Sequence, residues 1–294
     1  MSPMVSALVK SMRPYQWGKN LFVLAPLVFA EQLAETSAIS RSLVAFALFC
    51  LASSAVYLFN DIQDREEDRR HPRKSTRPIA SGVLPVGIAR AASFFLAIMA
   101  LAGGWFLDPA VTGILAIYLA LNAAYTLGLK HVVILDVMIV SAGFVLRVLA
   151  GGLAIDVEVS SWLLLCTIFL SLFLVFSKRR HEIHIMSDRA AEQRPVMSHY
   201  SAPFLDQMIN VVTASTVVSY ALYAVSPDTV ERFQSRGLLY TVPLVLFGIF
   251  RFLYLVYQRP GDANPTEVIL TDPPLVLDLV LWGLAVVGVI YFSR

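Results

Sequence analysis

The segment Asn60-Asp61-Ile62-Gln63-Asp64-Arg65-Glu66-Glu67-Asp68 carries the densest chemistry in the chain. Asp61, Asp64 and Asp68 stand at i, i+3 and i+7, which puts three carboxylates on one helical face with Asn60 at its edge. Three like charges on one stripe repel each other, and a divalent cation removes that cost. Hard oxygen ligands at this spacing suit Mg2+, which is usually held by one or two carboxylates together with substrate phosphates. Asn60, Asp61, Asp64 and Asp68 are therefore the expected metal ligands. The run that follows, His71-Pro72-Arg73-Lys74-Ser75-Thr76-Arg77-Pro78, is basic. Lys74 and Arg77 are placed there to take phosphate charge that the metal leaves uncovered. A solvated helix of mixed charge, held by pairs such as Asp61–Arg65, is the plainer use of the same residues. The carboxylate spacing, the Asn at its start and the basic tail weigh against it.

The elements that hold these residues read as membrane spans. Of 294 residues, 57% are hydrophobic and only 15% are charged, where soluble domains have about 25%. Mean hydropathy is +0.68. A spanning helix needs about 20 mostly apolar residues. Nine segments qualify: 20–36, 41–60, 87–107, 110–128, 132–153, 160–177, 208–225, 238–257 and 274–293. The first is the weakest, because Pro26 interrupts it and Glu31 sits near its end. With nine spans and a cytoplasmic N-terminus, 17 Lys and Arg residues fall on the cytoplasmic side and 4 on the other. Arg147 and Arg251 lie inside spans. The two long, charged connections, 61–86 and 178–207, are then cytoplasmic, and with 128–132 they form the expected active face. Cys50 and Cys166 sit in apolar runs without metal-ligand or CxxC spacing, so they read as small hydrophobes. Residues 1–19 lack the apolar core of a cleavable signal. The chain reads as one helical membrane domain over 1–294.

Asn-Asp-x-x-Asp-x-x-x-Asp at the end of the second span, followed by Arg77-Pro78-Ile79-Ala80-Ser81-Gly82, resembles the UbiA superfamily of intramembrane prenyltransferases. That resemblance implies an all-α bundle of nine transmembrane helices around a central cavity open to the cytoplasmic side, with the motif binding Mg2+ and a diphosphate. Further segments resemble its decaprenyl-phosphate phosphoribosyltransferase branch: Arg13-Pro14-Tyr15-Gln16-Trp17-Gly18-Lys19-Asn20, Tyr125-Thr126-Leu127-Gly128-Leu129-Lys130, Phe144 to Gly152, and Ser177-Lys178-Arg179-Arg180-His181-Glu182. The resemblance spans most of the chain and is vaguer after Glu182, where Leu270 to Leu275 is the best remaining patch.

Members that accept aromatic substrates usually carry a second acidic DxxxD motif after the sixth span. This chain has Lys178-Arg179-Arg180-His181-Glu182 there. A cationic cluster suits direct capture of a phosphate, although the positive-inside rule also explains it. Lys130 takes the role of the superfamily's Lys at the end of the fourth span, and Tyr125 that of its Tyr. Lys19 is placed to reach a phosphate or to signal topology. Arg147, whose charge costs about 2.5–3.5 kcal/mol inside a span, faces either a phosphate or ribose or a carboxylate such as Asp136 or Asp156.

The resemblance implies a reaction between 5-phosphoribosyl 1-diphosphate and a long-chain polyprenyl phosphate. The products are polyprenyl-phosphoryl-5-phosphoribose and diphosphate, for cell-envelope sugar donors. Asp61, Asp64, Asp68, Lys130 and Glu182 are the expected catalytic residues. Lys19, Asn60, Lys74, Arg77, Tyr125, Arg147, Lys178 and Arg179 are the expected substrate contacts. A bilayer is required, no nucleic acid is expected, and a homo-oligomer is compatible with the pattern. Two rivals remain: prenyl transfer from a prenyl diphosphate to an aromatic acceptor, and a carrier of lipids or solutes. The absent second DxxxD motif weighs against the first. The position of the acidic cluster at a span end, away from the midplane where transporters bind, weighs against the second.

Overall fold

The computed structural model describes residues 2–72, 74–186, 199–258 and 271–292. Residues 187–198 of the expected 178–207 loop, together with Arg73, Arg189, Arg194, Arg259, Leu270 and Arg294, lie outside the described residues. The described residues are helical or in turns, with no strand among them. They fall into two compact units, Met1–Val159 and Ser160–Arg294.

The first unit runs α1 (Pro3–Met12), a 3-10 segment (Pro14–Leu24), α2 (Ala25–Phe29), α3 (Thr36–Gln63), α4 (Arg65–Arg70), α5 (Val86–Leu107), α6 (Pro109–Leu127), a 3-10 turn (Leu129–His131) and α7 (Leu135–Ala154). Its core joins Ala45, Phe49, Ala52 and Val56 of α3 to Ala100 of α5, Leu115 and Tyr118 of α6, and Ala150 of α7. The small residues on α3 let its neighbours approach closely, as helices packed within lipid require. Arg41, near the start of α3, donates from Nε to the Ala154 carbonyl (2.5 Å) and from NH2 to the Leu107 carbonyl (3.0 Å). One side chain thus satisfies terminal carbonyls of α5 and α7, which have no partner within their own helices. The start of α3 and the ends of α5 and α7 therefore share one end of the unit. The acidic motif closes α3 at the opposite end. Beyond Arg90 in its first turns, the outward-facing side chains of α5 are apolar, with Phe94 69% and Phe106 88% exposed, as a lipid-facing helix demands.

The span expected over 20–36 is not one long helix. Pro14 and Pro26 each open a separate helical piece, because proline lacks the N–H that a helix interior needs. The resulting 3-10 segment packs on α3 and α7. The contact is close: a Cβ on Gly151 of α7 would stand 2.0 Å from the Val23 carbonyl oxygen. Gly151→Ala is expected to destabilise the protein by at least 1–3 kcal/mol, roughly the cost of overpacking, read as a lower thermal midpoint in detergent.

The second unit comprises α8 (Ser161–Met186), α9 (Ala202–Val225), α10 (Pro227–Phe233), a 3-10 turn (Gly237–Thr241), α11 (Val242–Gln258) and α12 (Pro273–Phe292). Ser201 and Ser226 cap α9 and α10, each accepting through Oγ from a backbone N–H three residues on. Inside it, Trp282 Nε1 donates to Tyr220 Oη (3.0 Å), which also bonds Thr241 Oγ1 (2.6 Å). Arg251 grips Asp272 through two hydrogen bonds of 3.0 and 2.8 Å, joining α11 to the start of α12.

Eight helices among the described residues are long and apolar enough to cross a membrane, and they correspond to the second to ninth expected spans. The protein is a multi-pass membrane protein with an all-helical fold.

Candidate active site at the end of α3

Four elements of the first unit converge on the acidic motif. The carboxylate stripe does not lie on one unbroken helix. α3 ends at Gln63, Asp64 takes φ −86° and ψ 7°, and α4 restarts at Arg65. The chain keeps a helical path across the break, since Asp64 N–H donates to the Asn60 carbonyl (2.9 Å) and Asp68 N–H to that of Asp64 (2.8 Å). Asp61 and Asp68 are buried, whereas Asp64 is partly open.

Each carboxylate meets a cation of the chain itself. Arg77 NH1 donates to Asp61 Oδ1 (3.1 Å) and to Asp68 Oδ2 (2.6 Å), so two carboxylates share one nitrogen. Arg13 NH2 donates to Asp61 Oδ1 at 2.5 Å, and its guanidinium lies 5.0 Å from the centre of the Tyr57 ring. Lys130 Nζ donates to Asp64 Oδ1 at 2.6 Å. Asn60 Oδ1 accepts a hydrogen bond from Thr126 Oγ1 at the end of α6.

Local structure explains how these cations arrive. The Arg77-to-Gly82 run folds into a compact turn in which Ile79 and Ala80 are buried. Ile79 joins Leu84, Leu58 of α3, Ala7 of α1 and Ala89 of α5 in one apolar cluster. Gly82 takes φ 84°, a conformation that side chains disfavour, and Arg69 Nε ties the turn by donating to the Ala80 carbonyl (3.0 Å). Anchoring Ile79 fixes the backbone beside Arg77. Arg13 follows α1, whose end is held when Ser54 Oγ of α3 donates to the Met12 carbonyl (3.1 Å) and Trp17 Nε1 donates to Ser54 (3.1 Å). Lys130 sits in the turn between α6 and α7. That turn ends at Ile134 with φ 69°, costly for a β-branched residue.

Among the described residues no three His, Cys, Asp or Glu side chains gather as a ligand set. The donor set still fits Mg2+ in the form it commonly takes. Asp61 and Asp68 oxygens converge on one positive nitrogen, and two carboxylates plus phosphate oxygens are a sufficient shell.

With this geometry in view, the similarity to known proteins is specific. The model of the UbiA prenyltransferase family matches residues 22–269. The chain belongs to that family. Among UbiA relatives, the decaprenyl-phosphate phosphoribosyltransferase of Mycolicibacterium smegmatis is 37% identical over 305 residues, covering 99% of this chain and 94% of its own. Those of Mycobacterium tuberculosis and Corynebacterium glutamicum are 36% and 35% identical, over 97% and 98% of this chain and 94% and 88% of theirs. A UbiA homolog from Archaeoglobus fulgidus, solved bound to GPP and Mg2+, shares the fold at TM-score 0.74 and 16% identity, over 97% of this chain and 99% of its own.

The other expected site residues divide between the two units of this UbiA chain. Lys19 is half-buried in the 3-10 segment, Tyr125 half-buried next to Thr126, and Lys74 half-buried ahead of Arg77. Arg147 lies deep in the unit, 5% exposed. It donates to Asn20 Oδ1 (2.7 Å), the Gly143 carbonyl (2.6 Å) and Tyr118 Oη (3.1 Å), all neutral acceptors. In the second unit, Glu182 accepts from Arg179 (2.8 Å) with Lys178 at 3.9 Å on the same helix. Sequence reasoning did not place Arg13, Thr126 or Asn20 in the site. Arg13 was visible only as part of the Arg13-to-Asn20 resemblance, because its partner Asp61 stands 48 residues away.

Proposed function

We propose that this UbiA protein transfers 5-phosphoribose from 5-phosphoribosyl 1-diphosphate to a long-chain, decaprenyl-like polyprenyl phosphate. One observation carries the reading: buried Asp61 and Asp68 converge on Arg77, with Arg13 on Asp61 and Lys130 on Asp64, in a chain similar over nearly its whole length to decaprenyl-phosphate phosphoribosyltransferases.

In this reading Asp61 and Asp68, with Asp64 and Asn60, would hold Mg2+. Bound there with the donor, the metal would supply charge neutralisation on the leaving group. An acceptor phosphate oxygen forms the new bond to the anomeric carbon. The bond from that carbon to diphosphate breaks, and its electron pair leaves with diphosphate. The acceptor is already anionic at neutral pH, so it needs no strong base. Arg13, Arg77, Lys130, Lys74 and Lys19 bind phosphate oxygens, and Tyr125 lines the approach. Asp64 eases positive charge on the ribose, and Glu182, Lys178 and Arg179 of the second unit keep the roles that the resemblance implies. Catalysis is mainly positioning and preorganised charge. Arg147 supports the site by fixing Asn20 and with it the segment that follows Arg13.

We further infer a nine-element transmembrane bundle in which residues 14–29 replace the first span. Its cavity opens to the cytoplasm, the N-terminus is cytoplasmic and the location is the plasma membrane. The 17-to-4 asymmetry of basic residues supports this orientation.

Detergent-purified protein incubated with Mg2+, polyprenyl phosphate and radiolabelled phosphoribosyl diphosphate is expected to move label into the organic phase, and EDTA to abolish it. Label that stays aqueous with a folded preparation, while a prenyl diphosphate and an aromatic acceptor yield product, would overturn the assignment.

A further inference from the structure

Three carboxylates of the acidic motif, Asp61, Asp64 and Asp68, are matched by three internal cations, Arg13, Arg77 and Lys130. The cluster is neutral as it stands. Adding a divalent ion alone would leave a charge of +2 in a site whose Asp61 and Asp68 side chains are only 3% exposed. Such a charge is costly away from water. The place between Asp61 and Asp68 is also taken, because Arg77 NH1 lies 3.1 and 2.6 Å from their oxygens. A diphosphate alone meets the mirror problem, since the cations that would bind it are engaged by aspartates. When metal and diphosphate arrive together, the guanidiniums can move to phosphate oxygens as the metal takes the carboxylates, and the charges again nearly cancel. The cations are on the open side for this exchange: the side chains of Arg77 and Arg13 are 29% and 18% exposed. Arg13 is also held at φ 55° and ψ 60°, a left-handed conformation unfavourable for a side-chain-bearing residue, which persists when surrounding contacts enforce it.

We propose that Arg13 and Arg77 act as placeholders for the metal, so that metal loads together with the donor diphosphate and not before it. Arg77 then has two successive roles, on the carboxylates and on the donor. Arg13, which sequence reasoning did not assign to the site, makes the same exchange from Asp61 to the donor. The inference rests on the acidic motif being the metal–diphosphate site. It does not depend on which group is transferred, so it survives if the donor proves to be a prenyl diphosphate.

The test is equilibrium dialysis of Mn2+ against the full-length protein in detergent, with no diphosphate present. Wild type is expected to bind weakly, and Arg77→Gln about tenfold more tightly, because the competing cation is gone. Arg13→Gln, which leaves Arg77 in place, is expected to tighten binding several-fold and serves if Arg77→Gln does not fold. In steady-state transfer assays the same variants should need less Mg2+ for half-maximal rate and more donor. A merely structural role would not separate those two constants in opposite directions. Tight Mn2+ binding by wild type alone, or folded variants that bind no tighter than wild type, would overturn the proposal while leaving the transfer activity standing. Absence of Mn2+ binding in every protein, with and without inorganic diphosphate, would overturn the metal reading of the motif itself.

Discussion

Asp61→Asn is expected to reduce transfer about a thousandfold while leaving the protein folded. Asp61 is the only one of the three motif carboxylates that meets both Arg13 and Arg77 among the described residues, and it lies almost wholly inside the protein. The amide keeps the size and one acceptor but loses the charge that a metal ligand needs. Metal assistance of a leaving group supplies several kcal/mol to a transition state, and about 4 kcal/mol corresponds to roughly a thousandfold in rate. The fold should tolerate the change, because the partly exposed guanidiniums of Arg13 and Arg77 can turn to water. The check is label transfer beside a thermal melt. Activity within tenfold of wild type would remove Asp61 from the metal site.

Arg147→Ala is expected to act in the opposite way, through stability. It deletes the donors to Asn20, Gly143 and Tyr118, and a cation that lies 4.9–5.6 Å from the ring centres of Phe49, Tyr118 and Phe144. Each buried acceptor left without a donor costs about 1–3 kcal/mol, and the vacated volume adds to it. A total near 4 kcal/mol is a fair expectation, visible as lower yield and a lower thermal midpoint. Arg147→Lys keeps the charge without the three-way geometry and should fall between. A melt like that of wild type with a raised donor KM would instead make Arg147 a substrate contact.

The membrane architecture was legible because hydropathy over about 20 residues is a local signal. Eight of nine expected spans appear as long apolar helices among the described residues, their bounds within about six residues of the expected ones. The exception is instructive: residues 20–36 are apolar enough, but Pro26 breaks them between the end of the 3-10 segment that Pro14 opens and the short α2, and these pieces pack on α3 and α7. The acidic motif was legible because its spacing is local too. What it faces was not. Arg13, Lys130 and Thr126 reach the motif across 48, 66 and 66 residues of sequence, and nothing in a local pattern encodes such pairings. Lys130 came from resemblance, and Thr126 had no signal of its own. Arg147 shows what a residue type in a span leaves open. A charge in a span suggests a ligand or a counter-ion, yet a polar pocket of amide, carbonyl and phenol groups lined by aromatic rings also accommodates it.

The two charged residues of α3, Arg41 and Asp61, bracket residues 42–60, which carry no charge. At 1.5 Å per residue that stretch is about 28 Å long, close to the roughly 30 Å of a bilayer's hydrocarbon layer. α3 is thus a ruler for depth: with Arg41 at one boundary, Asp61 comes out at the other, level with lipid headgroups. A polyprenyl phosphate carries its own phosphate at that same level. On the proposed function and orientation, the acceptor would then reach the carboxylates by sliding sideways within its leaflet, with no need to be lifted from the bilayer. Lengthening the uncharged stretch of α3 by one turn would move the motif about 5 Å relative to that plane, and lipids of different thickness would then change the enzyme's rate without any change to its site.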